Sequence, residues 1–267
     1  MQTFQEALMA GIFRNFFKII DHQTVIIAAL TVGGTYLCLR FGITADMPTG
    51  IIGIAIIFPI VFSINAAYRR REDALKSFAS LKAHAASLYF AHRDWAPKDV
   101  SGRDKLGLKE LPTTLLHRVR DYLSAVEDNV DKLKDVYEVF SRYSKENEIM
   151  RDLGVPANEI SRVNQYVRAM IIDFERMRNI HLYRTPMSLR AYSCIFLNIF
   201  PILFAPYFAF LIQDTMPVVG YALAVLYSVI LVSLDNIQQV LEDPFDAGGE
   251  HVDDLNLDVA DRYVGLL

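Results

Sequence analysis

Four long apolar runs, arranged in two tight pairs, govern what this chain can become. Thr24–Ile43 (TVIIAALTVGGTYLCLRFGI) carries one charge, Arg40, near its end. Thr49–Tyr68 (TGIIGIAIIFPIVFSINAAY), Ala191–Gln213 (AYSCIFLNIFPILFAPYFAFLIQ) and Met216–Leu234 (MPVVGYALAVLYSVILVSL) carry none. A hydrocarbon core of roughly 30 Å takes about 20 apolar residues of helix to cross, and each run has that length. Buried core helices are the bland alternative, but four such runs in one chain point to four transmembrane spans. Residues 44–48 join the first two runs, and Asp214 and Thr215 join the last two. Each pair therefore forms a helical hairpin.

The remainder is polar. The chain is 52% hydrophobic and 22% charged, with a mean hydropathy of +0.22. That is too apolar for a soluble domain and too charged for a bare membrane bundle. Its net charge of −4 is mild and argues against a nucleic-acid partner. The mild value hides a division: residues 235–267 hold nine acids against Arg262, a charge of −8, which leaves +4 elsewhere. Two cysteines exclude a disulfide framework, and no Cys/His spacing suits a structural zinc.

Cationic residues flank the runs: Arg14 and Lys18 before the first, Arg69, Arg70 and Arg71 after the second, Arg184 and Arg190 before the third. Because such residues collect on the cytoplasmic side, the expected placement is multi-pass in the cell membrane with both termini cytoplasmic. The first twenty residues show no small-residue cleavage site; Phe4, Phe13, Phe16 and Phe17 among Glu6, Arg14 and Lys18 suit an interfacial amphipathic helix. Five segments follow: an interfacial helix over 1–23, a hairpin over 24–68, a cytosolic helical region over 69–190, a second hairpin over 191–234, and an acidic cytosolic tail over 235–267. In the middle region one helix continues from the second span to about Arg93. A second is predicted over Leu115–Glu146 from Val119, Leu123, Val126, Val130, Leu133, Tyr137 and Phe140, spaced three and four apart. A third is predicted over Asn158–Tyr183 from Ile160, Val163, Val167, Met170, Phe174 and Met177. Pro97, Gly102, Pro112, Gly154 and Pro156 punctuate the connections. No strand-like alternation occurs, so the fold class is all α, an integral membrane protein with four transmembrane helices and a cytosolic helical bundle.

No catalytic constellation is present. His84 and His92 are eight apart, and His22, His117, His181 and His251 have no metal-ligand spacing. Cys38 and Cys194 lie in different spans without an activating histidine, and Gly33-Gly34 and Gly248-Gly249 are bare doublets. The chain is not expected to be an enzyme. The second run says more. Ile54, Phe58 and Phe62 stack on one helix face, and several copies around an axis would form apolar rings of the kind that gate ions by dewetting. Spacing alone favours packing on a neighbouring span instead. Pro59 would kink this helix or loosen its ladder. The tail's carboxylates, with an embedded Gly pair, could wrap Ca²⁺, although the spacing is not that of an EF-hand and composition favours a solvated tail.

Two motifs carry a family resemblance. Phe62–Ala74 (FSINAAYRRREDA) is similar to the Phe-x-x-Asn-x-x-Tyr-x-Arg-x-x-Glu-Ala pattern that ends the second span of bestrophins, and Leu241–Phe245 (LEDPF) is similar to the acidic motif after their fourth span. Arg190 and Tyr192 match a weaker signature, and the segment order agrees. The resemblance implies a homopentameric ion channel, for chloride and other anions or for monovalent cations, with itself, membrane lipids and permeant ions as partners and no nucleic acid. It places the pore neck on Ile54, Phe58 and Phe62, which reverses the preference for packing. It places a cytosolic aperture around Val155, Pro156 and Ala157. Ca²⁺ is the one cofactor it implies, with Asp243, Asp246, Glu250, Asp253 and Asp254 as ligands. The chain departs from the pattern in its split acidic run and in its neck proline, and the bacterial branch it resembles more need not be gated by Ca²⁺. The rival is a non-conducting membrane scaffold anchored by two hairpins. A secondary transporter would need more spans and a mid-membrane ionisable group.

Overall fold

A buried seam of small and hydroxylated residues runs along the first and last apolar spans, with many of their large side chains turned outward. The computed structural model describes residues 19–95, 109–183, 187–214, 216–245 and 255–267. Most of the expected interfacial helix, with Arg14 and Lys18, lies outside the described residues, as do Pro97, Gly102 and Arg184. Among the described residues there are nine helices and no strand. They are α1 (His22–Phe41), α2 (Thr49–Trp95), α3 (Glu110–Leu123), α4 (Val130–Asp152), α5 (Ala157–Leu182), α6 (Met187–Leu203), α7 (Ala205–Asp214), α8 (Pro217–Glu242) and α9 (Ala260–Gly265). The chain divides into a span unit, residues 1–69 with 185–242, and a helical body, residues 70–184 with 243–267.

In the span unit α1 packs on α6, α7 and α8, and α6 and α7 pack on α8. Asp21 caps α1 by accepting the Thr24 amide at 2.8 Å. Gly42, at φ 69°, ends it in the left-handed conformation that a side chain would strain. The buried face of α1 is Thr24, Thr31 and Thr35, while Val25, Ile26, Leu30, Leu37 and Phe41 are exposed. The Thr31 and Thr35 hydroxyls donate to the carbonyls of Ile27 and Thr31, both at 2.8 Å, so the seam leaves neither hydroxyl unsatisfied. On α8, Gly220, Ala224 and Ser228 are buried, and Val218, Leu223, Leu226 and Ile230 are exposed. This inverts the soluble pattern. Apolar surface gains nothing by leaving lipid, so helices associate where small residues let their backbones approach. At Gly220 an added Cβ would sit 2.1 Å from Ile212 Cγ1, too near for any side chain unless Ile212 moves.

The third span, expected as one helix, is two. It breaks at Phe204 between α6 and α7. Pro206 follows the break; it has no N–H for the carbonyl four residues back, and its ring crowds that carbonyl. Pro59, by contrast, lies within α2 without ending it. The acidic tail, expected from residue 235, begins later, because α8 continues through Glu242 and carries Asp235 into the span unit.

In the helical body α3 packs on α4, α5 and α9, and α4 packs on α5. Its core joins Leu81 and Leu88 of α2, Leu115 and Val119 of α3, Phe140 of α4, Phe174 of α5, and Leu257 and Val264 near the C-terminus. Phe174 stands at the centre of an aromatic group, its ring 5.6 Å from Tyr122, 5.9 Å from Phe140 and 6.2 Å from Tyr137. The single helix expected over 115–146 is two, α3 and α4, joined by a turn. Asn129 stops the helix from continuing by capping α4, its side chain accepting the amides of Asp131 and Lys132 at 3.1 and 3.0 Å. Val126, which the apolar rhythm placed in the seam, is 96% exposed in that turn. The third expected helix is α5, preceded by Gly154 at φ 88° and by the Val155 amide on the Met150 carbonyl at 3.1 Å.

One polar layer crosses this core. His92 of α2 donates through Nε2 to Asn147 Oδ1 at 2.8 Å, and Asn147 Nδ2 donates to Asn164 Oδ1 at 2.7 Å. Glu146 Oε2 lies 3.5 Å from His92 Nδ1, and Tyr143 packs alongside. Although that carboxyl is near, burial pushes the His92 pKa below its ordinary value, with the Asn147 bond acting against the shift. The folded protein thus holds His92 neutral where the unfolded chain takes up a proton near pH 6.5. The stability this contributes is complete above that pH and declines on acidification through the depressed native pKa. The melting temperature of the full chain should therefore fall between about pH 6.5 and 5, and less steeply in His92→Gln. Equal slopes would remove His92 from the account.

Candidate pore surface

The second span presents two unlike faces. At 100° per residue, Ile56, Ile60, Ser63 and Ala67 fall on one side of α2. All four are buried, and the two isoleucines cluster with Leu197 of α6 and Leu231 of α8. Ile54, Phe58 and Phe62 fall on the other side and are 68%, 63% and 58% exposed. The Phe58 and Phe62 rings meet edge to face with centroids 5.0 Å apart, so the two side chains form one continuous aromatic surface. Asn65 and Arg69 continue the same face, and both are exposed. The three neck residues therefore stand together on a surface that no other part of the span unit covers.

Other candidate residues are placed differently. Val155 is buried in the core of the helical body, while Pro156 and Ala157 are exposed at the start of α5. Asp243 directly follows α8, whereas Asp246, Glu250, Asp253 and Asp254 lie outside the described residues. Among the described residues no three His, Cys, Asp or Glu side chains converge to hold a metal ion.

A second polar site escaped the sequence reading. Asp235, counted there with the tail, is 2% exposed in the span unit. Its Oδ2 accepts Asn198 Nδ2 and Gln239 Nε2, both at 3.1 Å, and Asn198 Oδ1 accepts Gln23 Nε2 at 2.9 Å. Two turns on, Glu242 accepts from Gln238 at 3.0 Å and lies 3.8 Å from Arg190. The signal was present: Asp235, Gln238, Gln239 and Glu242 repeat at three and four along one face of α8. These contacts tie the start of α1, and α6 at Arg190 and Asn198, to the end of α8, the frame on which α2 is mounted.

No family model matches the chain, and no curated protein matches it. Solved structures do. A bacterial bestrophin homologue from Klebsiella pneumoniae, in a variant with one isoleucine changed to threonine, has a TM-score of 0.75 at 16% identity, covering 92% of this chain and 97% of that one. A variant of the Klebsiella homologue with one aspartate changed to alanine gives 0.72 at 15%, over 93% and 95%. The form phased on zinc gives 0.72 at 14%, over 93% and 94%. The chain has the bestrophin fold. The likeness covers 93% of the chain, and the four apolar helices mark a membrane protein.

The two faces of α2 should respond differently to truncation. Ile60→Ala removes a packed side chain and should cost about 2 kcal/mol or more. Phe58→Ala removes an exposed one and should stay within about 0.5 kcal/mol. Thermal unfolding of the detergent-solubilised protein measures both. A large loss at Phe58 would mean that its face is buried between copies and does not line open space.

Proposed function

We propose that the chain is an ion channel built by self-association around the exposed face of α2, with Ile54, Phe58 and Phe62 as its neck. The observation that carries this reading is the composition of that face. Three large apolar side chains run straight into an amide, Asn65, and a guanidinium, Arg69, all exposed. A face turned to lipid gains nothing from the polar pair, whereas a face lining a water-filled passage has use for both halves. The bestrophin resemblance supports five copies and the neck positions. It also supports a channel's role over an enzyme's, and the cationic residues flanking the spans support cytoplasmic termini.

In this mechanism an ion crosses three apolar rings spaced over about 12 Å of helix, at 1.5 Å per residue. A constriction lined by isoleucine and phenylalanine offers no partner to replace lost hydration, so it conducts when wetted and closes when water withdraws. Pro156 and Ala157 at the start of α5 are assigned to the second, cytosolic aperture, with Val155 supporting them from the core.

Light scattering in detergent should give a mass of five chains, whereas a monomer or dimer would favour the scaffold reading. In planar bilayers the combined Ile54→Ala, Phe58→Ala and Phe62→Ala variant should conduct several-fold more, or without closing. Currents identical to the unaltered protein would sink the neck assignment. Ca²⁺ is a separate matter, assigned to Asp243, Asp246, Glu250, Asp253 and Asp254 as hard oxygen ligands. Calorimetry of the full chain with millimolar Ca²⁺ should give heat that is lost on changing Asp243 and Asp246 to Asn. No heat in the unaltered protein would remove the site.

A further inference from the structure

Three consecutive arginines follow the second span, and they are not equivalent. Arg70 points its guanidinium at the C-terminal end of α5, donating to the carbonyls of Ile180 and Tyr183, so its charge answers the exposed carbonyls there. Arg71 is paired with Glu72 at 3.1 Å. Arg69 is exposed and takes part in no ion pair or hydrogen bond among the described residues. It lies seven residues beyond Phe62, two turns along α2, on the face that also holds Ile54, Phe58, Phe62 and Asn65. From Thr49 to Arg69 this stretch of α2 contains no acid at all. Glu72, the first acid beyond it, is the one already paired with Arg71. Among the described residues, the exposed face of the span thus carries one uncompensated charge, and it is positive.

We propose that Arg69 sets the ionic preference of the pore: repeated around the axis, it forms a cationic ring at the mouth of the apolar neck and selects anions. The inference rests on the channel reading given above. The apolar rings make every ion lose water and do not distinguish its sign. Sign is therefore decided where the ion gathers before the neck, and like charges brought together in a low-dielectric mouth concentrate counter-ions there. Asn65, between Arg69 and Phe62, can donate its amide to a partly dehydrated anion on the way. Because the Arg69 charge faces solvent, its effect weakens as salt shortens the screening length.

The test is the reversal potential of the purified full chain in planar bilayers under a potassium chloride gradient, with Arg69→Lys, Arg69→Gln and Arg69→Glu beside the unaltered protein. The side chain is exposed, so all three variants should fold and assemble. The unaltered protein and Arg69→Lys should prefer chloride. Arg69→Gln should lose roughly tenfold of that preference, and Arg69→Glu should reverse it. The difference between the unaltered protein and Arg69→Gln should shrink as salt rises from about 0.05 to 1 M. Currents whose chloride-to-potassium preference is the same in all four proteins would overturn the role of Arg69 and leave the channel standing. A cation preference in the unaltered protein would overturn it as well. Absence of current from every protein in an assembled ring would remove the channel reading, and this inference with it.

Discussion

Inside a hydrocarbon layer a helix gains nothing by hiding its apolar side chains from lipid, and this constraint shapes the whole span unit. Association then depends on close backbone approach and on hydrogen bonds that lipid cannot offer. That is why Thr24, Thr31 and Thr35 of α1 and Gly220, Ala224 and Ser228 of α8 are buried while Val25, Leu30, Leu37, Val218, Leu223 and Leu226 beside them are exposed. It is also why Asp235, Asn198, Gln23 and Gln239 are knotted together: unpaired, each would be costly, and paired they hold three helices in register.

The same constraint makes α2 two-faced. One side must supply the packing that fixes it to α6 and α8, and Ile56, Ile60, Ser63 and Ala67 do so. The other is released from packing and free to meet water, lipid or another copy. A face of isoleucine and two phenylalanines followed by asparagine and arginine suits a passage that narrows to a dry neck and opens into a charged mouth. The helical body obeys the opposite rule. It buries Phe174, Tyr122 and Phe140 away from water in the ordinary way, and a hydrogen-bonded layer around His92 and Asn147 crosses its core.

Much of this was legible from residue spacing. The spans were readable because an uncharged run of twenty residues has few other uses, and α5 because its apolar rhythm is unbroken from Ile160 to Met177. The break between α3 and α4 was hidden, since Val126 keeps the rhythm through a turn and only the capping residue Asn129 betrays it. The break at Phe204 was carried by a proline, yet Pro59 sits inside α2 without ending it, so the residue alone does not decide. Asp235 was assigned to the tail because its charge was counted and its place on the face of α8 was not. For the candidate site, the clustering of Ile54, Phe58 and Phe62 follows from spacing. That the face stands uncovered, and that Arg69 continues it without a partner while Arg70 and Arg71 are engaged, required the packing of the helices.

The central claim is that the exposed face of α2 lines a water-filled passage. Cysteine accessibility tests it most directly: Ile54→Cys, Phe58→Cys and Phe62→Cys, each in a background where Cys38 and Cys194 are replaced by serine, with current followed while a charged, water-soluble thiol reagent is applied. Reagent should block or alter current at all three positions and leave Ile60→Cys, on the packed face, untouched. Reaction at none of the three while the channel conducts, or equal reaction on both faces, would contradict it.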